Sequence, residues 1–436
     1  MDKKALKERT MSRLQGIAIC VLVVVVAACA PLIQTSSVPR FSEGGPDAEG
    51  YSASKGYPIG DRSTFHQTPF LVGSHSHFDQ IFEGRTVRPA KTPSSLKRAA
   101  AEPALRYDYQ GQSRTLDDYL ARHPATGLLV AQGDTILVER YQYARTDQHR
   151  FTSWSMAKTV TAMLVGIAIA EGHIRSIDDH AAVYVPTLAD TEYGRTSLRH
   201  LLQMSSGVHF VEDYTTRGSD ARRLGSATYL QGGSGGVDAV TPFNVRAVAS
   251  GTRYSYASVE TQVLGLVLRS AIARPVADYL HEKIWGPMGA EASATWLVDR
   301  SGHEVTYCCL NAVLRDYARL GLLLAHDGNW RGQQLIPRAW LEDATRVSPD
   351  QPHLRPGTAM PIWGYGYQVR IFPGERRMFV LEGNRGQRIF VDPASRLVMV
   401  HTAVRIQDRD PSDREENALW QSLVRERGTD QLSVTK

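Results

Sequence analysis

Ser155 and Lys158 stand three residues apart in Ser155-Met156-Ala157-Lys158, a spacing that places a lysine amine beside a serine hydroxyl when the segment is helical. A serine beside an amine can be acylated if the amine sheds its own proton, and burial lowers a lysine's pKa in that direction. The S-x-x-K pattern is weak by itself, because this chain also carries it at Ser52/Lys55, Ser94/Lys97 and Ser433/Lys436. Those three lie in polar or terminal stretches. Ser155 alone opens a run, through Ala170, in which nearly every residue is apolar, small or Thr, the signature of a helix buried on all sides. The free N–H groups at the start of such a helix would face the nucleophile and could hold an oxyanion. The same spacing also fits a serine N-cap with a lysine snorkelling to the surface.

Two further stretches carry chemistry. In Gly251-Thr252-Arg253-Tyr254-Ser255-Tyr256-Ala257-Ser258, an aromatic loop precedes an apolar helical pattern. Tyr256 and Ser258 could enter one cleft, with the Tyr256 phenol, its pKa lowered by a nearby ammonium, shuttling a proton. An aromatic turn anchoring the loop is the competing reading. The third stretch, Phe379 to Pro393, sets two β-rich runs around Gly383-Asn384-Arg385-Gly386, and it reads either as a ligand-facing strand edge or as a plain hairpin turn.

Taken together, the order S-x-x-K, Tyr256-Ala257-Ser258, Leu381-Glu382-Gly383 resembles the penicillin-recognising serine hydrolases, class C β-lactamases in particular. The text around these motifs is similar to the 6-aminohexanoate-dimer hydrolase branch: Phe151 to Lys158, Arg199-His200-Leu201-Leu202 with Ser206-Gly207, Glu212-Asp213-Tyr214, and Gly383 to Gln387. The resemblance implies Ser155 as acylated nucleophile, Lys158 as its activator and Tyr256 as general acid/base. It further implies an oxyanion hole from the backbone N–H groups of Ser155 and Asn384, and substrate contacts from Tyr214, Ser258 and Gly383. No cofactor and no metal are implied. The substrate would be a small-molecule amide or ester. Ser258 stands where the family has Asn, and the K-T-G motif keeps only its glycine. Loss of that lysine removes the cation that grips a substrate carboxylate, so weak or no β-lactamase activity is expected, with Arg385 or Arg388 as candidate replacements. The degraded third motif also motivates an alternative, an idle envelope protein using the fold to bind peptidoglycan or a partner.

The elements that must position these residues are partly legible. Leu128 to Ala131 and Thr135 to Arg140 form a hairpin around Gln132-Gly133-Asp134. Strands are predicted at Tyr367–Phe372, Met378–Leu381, Arg388–Val391 and Leu397–Thr402. Helices are predicted at 155–170, Ser197–Met204, Val259–Ile272, Ala312–Ala325 and Ser412–Arg427. Strands at both ends with helices between give an α/β (α+β) fold: a mixed antiparallel sheet with flanking helices and an inserted helical subdomain at about 181–290. The hydrolase domain is placed at 70–428 and a polar tail at 429–436.

The 436 residues are 42% hydrophobic with a net charge of +5 and no like-charge block, which gives nucleic-acid binding no support. Basic residues up to Arg13 precede an uncharged run from Gly16 to Ala28, and about 13 residues are too few to span a ~30 Å hydrocarbon core. The run closes on Val26-Ala27-Ala28-Cys29, which resembles a lipobox. Residues 1–28 therefore read as a lipoprotein signal peptide, Cys29 as the lipidated residue, 29–69 as a flexible tether, and the location as the bacterial envelope, on the periplasmic side of the outer membrane. A plain secretory signal is the alternative. Cys308 and Cys309 are expected as two buried thiols. His75, His77 and Asp79 read as packing or surface residues, and Arg315 and Asp316 as solvated charges on a helix's polar face. Trp363 to Tyr367 reads as a cleft wall or as a strand entry with packed rings.

Overall fold

The structure, a computed structural model, describes residues 38–406 and 412–428. Cys20, Cys29, the signal peptide and the polar tail lie outside the described residues. In chain order the strands that matter are β1 Arg40–Phe41, β2 Gly84–Val87, β3 Lys97–Arg98, β4 Ala125–Gln132, β5 Thr135–Tyr141, β6 Phe151–Thr152 and β7 Ala294–Leu297. They continue as β8 Leu310–Ala312, β9 Gly364–Tyr365, β10 Arg370–Ile371, β11 Phe379–Gly383, β12 Gln387–Asp392 and β13 Leu397–Ala403. The principal helices are α1 Met156–Ala170, α2 Leu198–Leu202, α3 Ser258–Ile272, α4 Leu314–Ala325 and α5 Ser412–Arg427.

Nine strands form one mixed sheet in the order β1-β5-β4-β13-β12-β11-β10-β9, with β3 also pairing β5. β1 and β3 run parallel to β5, and the other pairings are antiparallel. Both faces are covered. Leu129, Ile389, Val398 and Val400 face the layer of α1 and α4, while Val130, Phe390 and Met399 face Trp420 and Leu423 of α5. That double cover is why the central strands read as unbroken apolar runs. Between α1 and β7 the chain is helical in short pieces apart from α3, which packs directly on α1. The mixed α/β architecture and the central helices stand where the sequence puts them.

A second sheet, β2-β7-β8-β6, escaped the sequence reading because its strands are two to four residues long and join positions far apart in the chain. The strand expected at Tyr367–Phe372 shrinks to β10, since Gln368 adopts the left-handed backbone (φ 58°) and interrupts it. The tether expected at 29–69 is corrected from Val38 onward: β1 joins the sheet, and Tyr51, Tyr57 and Phe65 are buried. Tyr51 donates its hydroxyl to the Val404 carbonyl, and its ring and that of Tyr57 close on Tyr143 at 5.5 and 5.8 Å. Aromatic anchors offset the Ser/Gly/Pro composition that suggested a loose segment.

Arg315 and Asp316 are corrected too. Asp316 is fully buried, accepts from the backbone N–H groups of Glu291 and Ala292, and pairs with Arg319. Arg315 pairs with Glu139, Asp147 and Glu291. His75 packs against Phe78 and Trp154, His77 bonds the Gly73 carbonyl, and Asp79 pairs with Arg150. Among the described residues no helix is long and apolar enough to cross a membrane.

Candidate active site

Ser155 ends a tight turn at the mouth of α1. Trp154 takes the left-handed conformation (φ 43°), and the N–H groups of Met156, Ala157 and Lys158 bond back to the carbonyls of Ser153, Trp154 and Ser155. Strand β8 holds the turn from behind: Ser153 N–H donates to the Leu310 carbonyl, and Leu310 N–H donates to the Ser153 hydroxyl. One helical turn on, Lys158 is 1% exposed, so its amine cannot snorkel to water. Its Nζ lies 2.9 Å from Ser155 Oγ and 2.8 Å from the Tyr307 carbonyl oxygen, above the faces of Tyr256 and Tyr307 at 5.0 and 5.5 Å. Burial lowers its pKa to about 7, the Glu212 charge opposes that shift, and the Arg370 charge adds to it. A large share of this lysine is therefore a neutral amine at neutral pH.

Tyr256 comes to the same point from the loop before α3. That loop is pinned to the 204–205 turn: Gly251 N–H donates to the Ser205 carbonyl, Ser255 N–H to the Met204 carbonyl, and Ala257 N–H to Met204 Sδ. The Tyr256 hydroxyl is hydrogen-bonded to Ser155. Its pKa is raised rather than lowered as expected, because burial and the Glu212 charge outweigh the Ser155 bond and Arg370. The free phenol thus keeps its proton and is an acid.

Gln368, which the sequence reading passed over, joins the helices behind the site. Its carbonyl accepts from Thr159 of α1, its Oε1 accepts from Thr261 of α3, and its Nε2 donates to the Leu201 and Leu202 carbonyls of α2.

The expected substrate contacts divide. The Ser258 hydroxyl and N–H both donate to Glu212, at 2.5 and 2.8 Å, and the Tyr214 hydroxyl donates to the same carboxylate. Ser258 is 1% exposed and faces Glu212, a carboxylate that caps the N-terminus of α3. Glu212 was quoted in the sequence only as part of a block. Its acidic residue two positions before an aromatic gave no signal of a cap 46 residues away. Tyr214 stands beside this group, 3.3 Å from Ser258 Oγ. Gly383 acts through its lack of a side chain: a Cβ there would overlap the Ser153 carbonyl oxygen and stand 3.0 Å from the Ser155 amide nitrogen. This close approach brings the start of the 384–386 turn, and with it Asn384, next to Ser155.

The candidate cations are placed elsewhere. Arg385 donates to the Arg405 and Ile406 carbonyls, and Arg388 pairs with Glu416 and Glu382. Cys308 and Cys309 are disulfide-bonded, which corrects the expectation of two thiols; the bond sits in the segment that directly follows the Tyr307 carbonyl.

The model of the beta-lactamase family matches residues 113–422, which takes in all three motifs. The chain belongs to the beta-lactamase family of serine hydrolases. It is 25% identical over 308 residues to a 6-aminohexanoate-dimer hydrolase of Paenarthrobacter ureafaciens, covering 69% of this chain and 78% of that protein. A Bacillus anthracis structure, provisionally described as a 6-aminohexanoate-dimer hydrolase, shares the fold at TM-score 0.75 and 21% identity, covering 84% of this chain and 96% of that one. A family VIII carboxylesterase shares it at TM-score 0.52 and 18% identity, covering 69% of this chain and 93% of that one.

In beta-lactamase family terms, the first motif is intact, the second keeps its tyrosine, and the third keeps only the glycine that the Ser155 turn requires.

Proposed function

We propose that this protein hydrolyses a small amide or ester through an acyl-enzyme on Ser155. The observation that carries the reading is the Lys158 amine, buried and 2.9 Å from Ser155 Oγ, with its pKa brought down to about 7. The neutral amine takes the Ser155 proton while keeping its bond to the Tyr307 carbonyl, and Oγ attacks the substrate carbonyl carbon. The N–H groups of Ser155 and Asn384 hold the resulting oxyanion. Tyr256 gives its proton to the leaving nitrogen or oxygen and recovers one from the Lys158 ammonium. Water then attacks the acyl-enzyme along the reverse route and releases the acid. Tyr214 lines the substrate side.

The 6-aminohexanoate-dimer hydrolase relative supports an amide and the carboxylesterase fold an ester. Without the K-T-G lysine, β-lactams are poor substrates. The idle-binder alternative finds no support in a site whose lysine is buried against the serine. We also propose that Cys29 is lipidated and anchors the protein in the envelope. A fluorophosphonate probe labels the wild type and leaves Ser155→Ala unlabelled; equal labelling of both overturns the acyl-enzyme. A p-nitrophenyl ester and amide panel run beside a cephalosporin shows turnover of the panel, and cephalosporin turnover at the rate of a dedicated β-lactamase overturns the substrate reading.

A further inference from the structure

The β11 side of the cleft holds a cation that the sequence reading did not name. Arg370 of β10 is the cross-strand neighbour of Tyr365 on one side and Val380 on the other. The Tyr365 ring meets Tyr254 at 4.9 Å and Tyr256 at 6.3 Å, so Arg370 is one strand-neighbour from the proposed proton shuttle. Its charge lowers the pKa of both Lys158 and Tyr256, as expected of a cation close to the nucleophile.

This guanidinium is already occupied. Arg370 Nη1 is ion-paired with Glu382 Oε2, and its side chain, 25% exposed, lies over the Trp363 ring at 5.2 Å. Glu382 directly precedes Gly383, the residue pressed against the Ser155 turn. Its other oxygen accepts from Arg388 at 2.9 Å, and Arg388 in turn meets Glu416, which also takes Arg405. The row runs from the buried side of α5 to its more exposed end at Arg370. A guanidinium that has a carboxylate seated on it offers a second carboxylate much less than a free one does, because the two acids repel.

We infer that Glu382 is a specificity-determining residue: it supplies the chain's own carboxylate to Arg370, so the substrate is uncharged at the end that lies along β11. The inference rests on Ser155 as the acylated nucleophile. Glu382→Gln keeps the shape and an acceptor for Arg388 while freeing Arg370 for a substrate carboxylate.

The test compares kcat/KM for p-nitrophenyl butyrate with p-nitrophenyl hemisuccinate, and for phenyl acetate with 4-acetoxybenzoate, so that the carboxylate is placed on the acyl side and then on the leaving side. In the wild type the neutral ester of each pair is preferred. In Glu382→Gln the ratio moves toward the anionic ester by about tenfold in at least one pair, the size of one charge-assisted contact. Adding Arg370→Gln to that variant removes the gain. A Glu382→Gln ratio within about twofold of the wild type in both pairs, in folded and probe-labelled protein, overturns the inference. Arg370→Gln alone gives a second reading: an anionic-to-neutral ratio that holds supports the inference, and one that falls about tenfold overturns it, because the wild-type guanidinium would then be holding substrate. Failure of the wild type to take the fluorophosphonate probe is a different result, since it removes the acyl-enzyme itself.

Discussion

The two walls of the cleft are built by opposite rules. On the α1 wall, Ser155, Lys158 and Tyr256 touch one another, and burial shifts the pKa of both Lys158 and Tyr256. On the β11 wall, one motif residue has become a steric fitting, Gly383, and the charged side chains satisfy each other. Under the proposed function, the first wall makes and breaks bonds and the second chooses the substrate. The difference teaches that a family motif can lose its recognition half while its chemical half stays whole.

The largest expected effect lies on the first wall. Lys158→Met lowers kcat/KM for any reactive ester by on the order of 10⁴-fold, measured against p-nitrophenyl butyrate. The same variant is expected to melt higher than the wild type. Holding this lysine at a pKa of about 7 against its ordinary 10.5 costs about 5 kcal/mol at pH 7 and below. The unfolded lysine binds the extra proton between about pH 7 and 10.5, so this cost shrinks as pH rises through that window, and the melting gap narrows with it. Wild-type kcat/KM rises with pH through about 7 as the amine loses its proton; a flat profile there breaks the assignment of Lys158 as base.

Next in size is Gly383→Ala. The new methyl must displace the Ser153–Ser155 turn, and a shift of about 1 Å at a nucleophile costs on the order of 10²-fold in kcat. Unchanged kcat would show that the two walls do not meet where the structure joins them. The smallest effect is expected at the disulfide. Cys308→Ser with Cys309→Ser loosens the segment that carries the Tyr307 carbonyl, and kcat falls on the order of threefold with the acid limb of the pH profile displaced. A lower melting temperature with an unmoved profile would confine the bond to stability.

What could be read in advance follows the same division. The buried helix, the hairpin and the order of the motifs were legible because apolar period and local spacing encode them. Glu212 as a helix cap, Gln368 as a link among three helices and the Tyr307 carbonyl as a lysine anchor were not, because each depends on residues 46 to 209 positions away. The packed 38–69 segment was missed because three aromatic rings outweigh a loose composition. The Tyr256 pKa came out on the wrong side because its burial was not visible from the loop's sequence.

Gly383 has a consequence for how such chains diverge. Its constraint comes from the backbone of the Ser155 turn and is indifferent to what is bound, whereas the two residues before it are held by other contacts, Leu381 by the core and Glu382 by Arg370 and Arg388. A lineage changing its diet can therefore rewrite the first two letters of the motif together with those contacts and is barred from rewriting the third. A search for distant members keyed on the lysine would pass this chain by, and one keyed on a strand ending in glycine behind the S-x-x-K turn would find it.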